Sequence, residues 1–142
     1  MASPDDPARF DTRVAVLLRE GLLPWQELNV TAFLMSGIAS DAALLGEPYR
    51  DADGTEYLRL LRQPVMVFQA GPEVLAEARE RAVDRGMRVA VYTREMFSTG
   101  HDAANRAAVA AARAADLDLV GLGLHGPRNA VDRITKRATL HP

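Results

Sequence analysis

The chain has 142 residues and 48% apolar residues, enough for one globular domain with a core of its own. It has no cysteine, which excludes disulfides, Cys-zinc sites and thiol nucleophiles. Seventeen Lys and Arg against nineteen Asp and Glu give a net charge of −2 and a pI of about 5.9, which argues against a large phosphate footprint and so against tRNA as a partner.

The opening MASPDDPARF is acidic and Pro-rich, with no basic n-region and no apolar h-region, so it does not read as a signal peptide. We expect residues 1–10 as a loose arm and residues 11–142 as a single α/β domain. No apolar run approaches the roughly 18 residues of a membrane span. These features predict a cytoplasmic protein with no membrane partner.

Val14–Leu18 is a continuous apolar run bounded by charges, which predicts a buried central strand. Pro24 suits the first turn of a helix running to about Ala39, with Leu28, Thr31/Ala32, Met35 and Ile38 as its core face. In the irregular stretch Asp41–Pro64, Asp53-Gly54 predicts a two-residue hairpin turn between Tyr49 and Tyr57, whose strands would add an antiparallel edge. Val65–Phe68 is a second buried strand. Pro72, Glu73 and Gly86 bracket the next helix, with Val74, Ala78 and Ala82 as its buried stripe and Glu77–Arg81 as an i,i+4 pair. Strand Arg88–Tyr92 follows, then a polar loop and an Ala-rich helix from about Asp102 to Ala115. Thr99 with Asp102 reads as an approximate capping box. The last strand is Leu119–Leu124, and Pro127 starts a final helix with Ala130, Val131 and Ile134 inward. Strands alternating with helices predict a three-layer α/β/α sandwich around a mostly parallel, mixed sheet.

The densest polar stretch is Tyr92–Arg106, YTREMFSTGHDAANR, between a strand and a helix. Ligands in open α/β folds bind beyond strand carboxyl ends, beside helix N-termini. Glu95, His101 and Asp102 are the candidate catalytic groups for an ester or amide hydrolase: a carboxylate base and an imidazole that titrates near neutrality. Arg19, Asn29 and Thr31 from the first strand–helix unit, with Thr99, Gly100, His101 and Asn105, are the candidate ligand-binding residues. Without a dinucleotide or P-loop glycine motif, Gly121 and Gly123 read as packing positions. The three histidines are scattered, so no metal site and no cofactor are expected. Trp25 and Met96-Phe97 read either as pocket lining or as core and partner contacts. Arg128, Arg133, Lys136 and Arg137 read as a solvated helix end favoured by the helix dipole, or as an anion-binding patch. The small residues of Ala103–Ala115 permit a homodimer.

Two segments, VAVLLREGLLPWQELNVTAFLMSGIA and LVGLGLHGPRNAVDRITK, resemble the first and last units of peptidyl-tRNA hydrolase II. PWQELNVTAFLMSGI, GEPYRDADG, QPVMVF and EMFSTGHDAANR resemble an uncharacterised bacterial family with that fold, domain of unknown function 2000. The resemblance implies a peptidyl-tRNA hydrolase II-like fold. The hydrolases place a lysine at the start of the first helix, where this chain has Glu27-Leu28-Asn29. Their Asp and hydroxyl after the third strand meet Thr93-Arg94-Glu95 here, with Ser98 or Thr99 as the hydroxyl. The expected function is therefore binding of a small anionic metabolite or nucleotide at the strand C-termini. Hydrolysis of an ester such as an aminoacyl or peptidyl ester is the alternative, and a structural protein-interaction domain is a third.

Overall fold

The computed structural model describes residues 10–142, so the expected arm lies outside the described residues except for Phe10. Phe10 is anchored: its carbonyl accepts from Arg128, and the Arg62 guanidinium sits 5.3 Å over its ring.

Strand β1 (Thr12–Arg19) forms the axis of the molecule. Helix α1 (Pro24–Ile38) follows, then a hairpin of β2 (Tyr49–Arg50) and β3 (Glu56–Tyr57). Next come β4 (Val65–Ala70), α2 (Pro72–Asp84) and β5 (Arg88–Thr93). The chain closes with α3 (Asp102–Ala110), β6 (Leu119–Pro127), α4 (Arg128–Ile134) and β7 (Thr139–Leu140). The main sheet has the order β5-β6-β1-β4-β7.

The sheet is mixed but not mostly parallel. Among the described residues, β1 and β4 are parallel, whereas β1–β6, β5–β6 and β4–β7 are antiparallel. A strand buried on both faces is a continuous apolar run in either direction, so the pattern of β6 carries no polarity. The hairpin forms a sheet of its own, and β7 supplies the antiparallel edge instead. Its turn is longer than two residues: Gly54, at φ 86°, closes a loop in which the Asp51 carboxylate accepts from the backbone of Asp53 and Thr55.

Alternate residues of β1 enter different clusters. Ala15 and Leu17 pack with Leu75, Ala78 and Ala82 of α2, Leu122 and Leu124 of β6, and Val131 and Ile134 of α4. Val16 and Leu18 pack with Val30 and Leu34 of α1, Tyr92 and Val120. Helix α2 has the expected bounds, with Pro72 in its first turn and Gly86 at φ 69° beyond its end. Ala78 and Ala82 are buried as expected, Leu75 is buried ahead of Val74, and Glu77 pairs with Arg81 at 2.9 Å.

Helix α1 is rotated from the expected face, which it keeps only at Ile38 and Met35. Val30, Leu34 and Ile38 are buried, whereas Leu28 is 74% exposed. The helix is apolar nearly all round, so periodicity leaves its rotation open. The glycines of β6 fix it: a Cβ on Gly121 would lie 2.3 Å from Val30 Cγ1, and one on Gly123 would lie 3.3 Å from Leu34 Cβ.

The C-terminus of α1 is capped by Arg88, which donates to the carbonyls of Ile38 (2.8 Å) and Gly37 (3.2 Å) and to Ser40 Oγ. A cation on terminal carbonyls is favoured by both hydrogen bonding and the helix dipole. Arg88→Ala should therefore lower the urea-unfolding free energy by about 1 kcal/mol.

Arg88 also neighbours His125, its partner across the β5–β6 ladder. Burial, then the Arg88 charge, push the His125 imidazole below its ordinary value, against a weaker pull from Asp41. A depressed histidine is neutral when folded. Its contribution to stability is present above the unfolded value of about 6.5 and is lost as pH falls through the folded value. His141 runs the other way: the Pro142 carbonyl and Glu27 raise its value. Urea midpoints of wild type and His125→Gln should thus converge as pH is lowered from 8 to 5, roughly across these histidine values. A gap that stays constant or widens contradicts a neutral, half-buried ring.

Candidate functional site: a groove with an aromatic wall

Beyond β5 the chain turns through a 3-10 segment (Arg94–Ser98), runs extended to His101 and enters α3. Helix α3 has no fully buried residue and packs chiefly on that 3-10 segment. Held off the sheet in this way, it leaves a groove of about 940 Å³ between itself, α1 and β5.

One wall of the groove is aromatic. Trp25 meets Phe97 edge-on (5.9 Å, 70°), Phe97 meets Tyr92 (5.2 Å), and Tyr92 meets Phe33 edge-on (5.8 Å, 71°). Trp25 and Phe33 remain 57% and 52% exposed although they line a concavity. Asn29, one turn from each of them on α1, donates to the Tyr92 hydroxyl at 3.3 Å. Tyr92 is buried, and burial raises its hydroxyl above the usual phenol value, so the ring stays neutral.

The facing wall is polar and comes from the segment entering α3. Thr99, Gly100, His101, Asp102, Asn105 and Arg106 all line it. Thr99 Oγ1 contacts the Met96 carbonyl at 3.0 Å and the Asn105 side-chain oxygen. The expected Thr99–Asp102 capping box does not form. His101 is the N-cap, and its Nδ1 accepts the Ala104 backbone N–H at 3.2 Å. Asp102 instead pairs with Arg106 one turn on. An imidazole accepting at Nδ1 carries its neutral-state proton on Nε2, so His101 offers the groove a donor rather than a base. Nothing lies within 4 Å of a Cβ built on Gly100, so crowding does not require glycine there.

Asn29, Thr99, Gly100, His101, Asp102 and Asn105 thus share one groove, and three expected residues do not. Arg19 is tied to Asp118 and the Leu119 carbonyl, both at 3.3 Å. Glu95 lies outside the lining, at the base of the 3-10 segment. Thr31 donates to the Glu27 carbonyl and faces another hollow, beside Leu28 and His141. The groove also reaches back along Gly37 and Ala90, so it follows the sheet edge rather than sitting only beyond strand ends. Phe33 and Tyr92 carried no sequence signal as site residues, since an aromatic on a buried strand or an apolar helix reads as core. Among the described residues, no group of three His, Asp or Glu side chains is placed to hold a metal ion. No helix among them is long and apolar enough to cross a membrane.

These features define a mixed α/β protein with a half-aromatic, half-polar groove along one sheet edge. Residues 12–142 match the model of the family described as "Protein of unknown function (DUF2000)", and the chain belongs to that family. It is similar to the solved structure of a protein of unknown function from Agrobacterium tumefaciens strain C58, at 46% identity and a TM-score of 0.90, covering 94% of this chain and 99% of that one. The comparison with curated proteins gives no match.

Proposed function

We propose that the groove binds a small anionic metabolite or nucleotide, with a flat or apolar portion against Trp25, Phe33 and Phe97 and a polar end at Thr99, His101 and Asn105. The observation that carries this reading is the pairing of exposed aromatics with convergent polar groups across one concavity, the usual make-up of a small-molecule pocket. The free backbone N–H groups and positive dipole end of α3 favour a negative charge on that polar end.

Binding is better supported than ester hydrolysis. Arg19 is engaged elsewhere, Glu95 is not among the groove-lining residues, and the Nδ1 of His101 is occupied by the helix cap. On the resemblance, Glu27-Leu28-Asn29 stands where those hydrolases carry lysine. The first unit (β1, Arg19, α1) and the last (β6, α4) support the peptidyl-tRNA hydrolase II-like, three-layer reading, because helices from these units pack on opposite sides of β1.

A thermal-shift screen against nucleotides, organic acids and amino-acid esters tests this reading. A ligand at 100 times its dissociation constant adds roughly 2.7 kcal/mol to stability. We expect a stabilising compound whose affinity falls in Thr99→Ala/His101→Ala. A ligand bound equally well by that double variant defeats the proposal.

A further inference from the structure

We propose that a second site, on the other side of β1, binds a compact oligophosphate anion of diphosphate or triphosphate size. A hollow of about 310 Å³ lies between α2 and the end of α4. Arg81 of α2 converges there with Arg133, Lys136 and Arg137, more than fifty residues later in the chain. Glu77 is the one carboxylate in the lining, and it is shared: Arg81 meets one oxygen at 2.9 Å and Arg137 the other. Four cations against one carboxylate leave a local excess of three positive charges in a chain whose net charge is −2. Arg133 and Lys136 make no ion pair with any described residue.

A helix dipole accounts for cations at the end of α4, but not for Arg81 meeting them from α2. Glu77 holds Arg81 and Arg137 in place, so part of the ordering cost is met before an anion arrives. The buried Ile134 beneath them provides a low-dielectric floor that concentrates the field. Guanidinium forks suit phosphate oxygens, and the lysine adds a point charge. The cations surround one small hollow instead of forming a stripe, which favours a compact anion over a nucleic-acid backbone.

The test is calorimetric titration of the intact protein with inorganic diphosphate and tripolyphosphate at low salt. Arg133→Gln/Lys136→Gln and Arg81→Gln are compared with wild type, with circular dichroism as the check on folding. We expect saturable binding, tighter for tripolyphosphate, weakened about tenfold in the double variant and screened by added salt. In the Thr99→Ala/His101→Ala background, saturable oligophosphate binding should persist and still be weakened by Arg133→Gln/Lys136→Gln, which separates this site from the groove. Absence of saturable binding, or equal affinity in the folded double variant, overturns the proposal. An RNA oligonucleotide that binds more tightly than tripolyphosphate through the same residues also overturns it, in favour of nucleic acid.

Discussion

Gly121→Ala should destabilise the protein by about 2 kcal/mol, a large effect for one methyl group. The new Cβ would sit 2.3 Å from Val30 Cγ1 and 3.0 Å from Leu34 Cδ1, both on buried side chains. Valine in a helix is nearly confined to one χ1 rotamer, so Val30 cannot swing aside. Helix α1 would have to lift instead, and it is seated closely along the strands: a Cβ on Gly123 would lie 3.3 Å from Leu34 Cβ, and one on Gly37 would lie 3.4 Å from Ala90 Cβ. Removing a glycine restricts the unfolded chain and returns about 0.5 kcal/mol, too little to offset the clash. Val30→Ala opens the space that the methyl needs, so Gly121→Ala/Val30→Ala should be more stable than the two single losses add up to. Urea unfolding of the four proteins gives that coupling directly. Simple additivity would mean that helix and strand are not in close contact there.

Tyr92→Ala should cost about 3–5 kcal/mol, the range for removing a buried aromatic ring. Tyr92 is 4% exposed and touches Phe33 on one side and Phe97 on the other, joining the two halves of the aromatic wall. Tyr92→Phe keeps the ring and loses the Asn29 hydrogen bond, so it should cost only about 1 kcal/mol. The pair separates packing from hydrogen bonding: the alanine variant should lose both melting temperature and ligand affinity, the phenylalanine variant little of the first. Equal destabilisation by both would place the weight on the hydroxyl.

How much of this was legible in the sequence depends on what each signal measures. Helix α2 could be read to within a residue or two because Pro72 and Gly86 are tied to backbone geometry at its two ends. Helix α1 could be located but not rotated, since large apolar residues of 28–38 are spread around the helix and the glycines that select Val30 and Leu34 lie ninety residues away in β6. Strand direction was illegible for the same reason that burial was legible: a run such as Leu119–Leu124 is apolar whichever way it runs. The polar wall of the groove was legible because Thr99–Asn105 is contiguous. The aromatic wall was legible only in part: Trp25 and Phe97 read as pocket lining or core, whereas Phe33 and Tyr92 join them only because three elements meet where α1 crosses the sheet beside β5. Arg19 and Thr31 were misplaced because neighbours in sequence on one strand–helix unit point to different sides of it.

The groove contains its own reporter. Trp25 is the sole tryptophan, it is more than half exposed, and it lines the cavity against Phe97. Titrating the protein with the compounds that raise its melting temperature, and following tryptophan emission, therefore tests the central claim most directly. The proposal predicts a saturable emission change at the same dissociation constant as the thermal shift, weakened in Thr99→Ala/His101→Ala on the opposite wall. Stabilisation without any change in Trp25 emission, or an emission change indifferent to that double variant, would contradict a ligand held between the two walls.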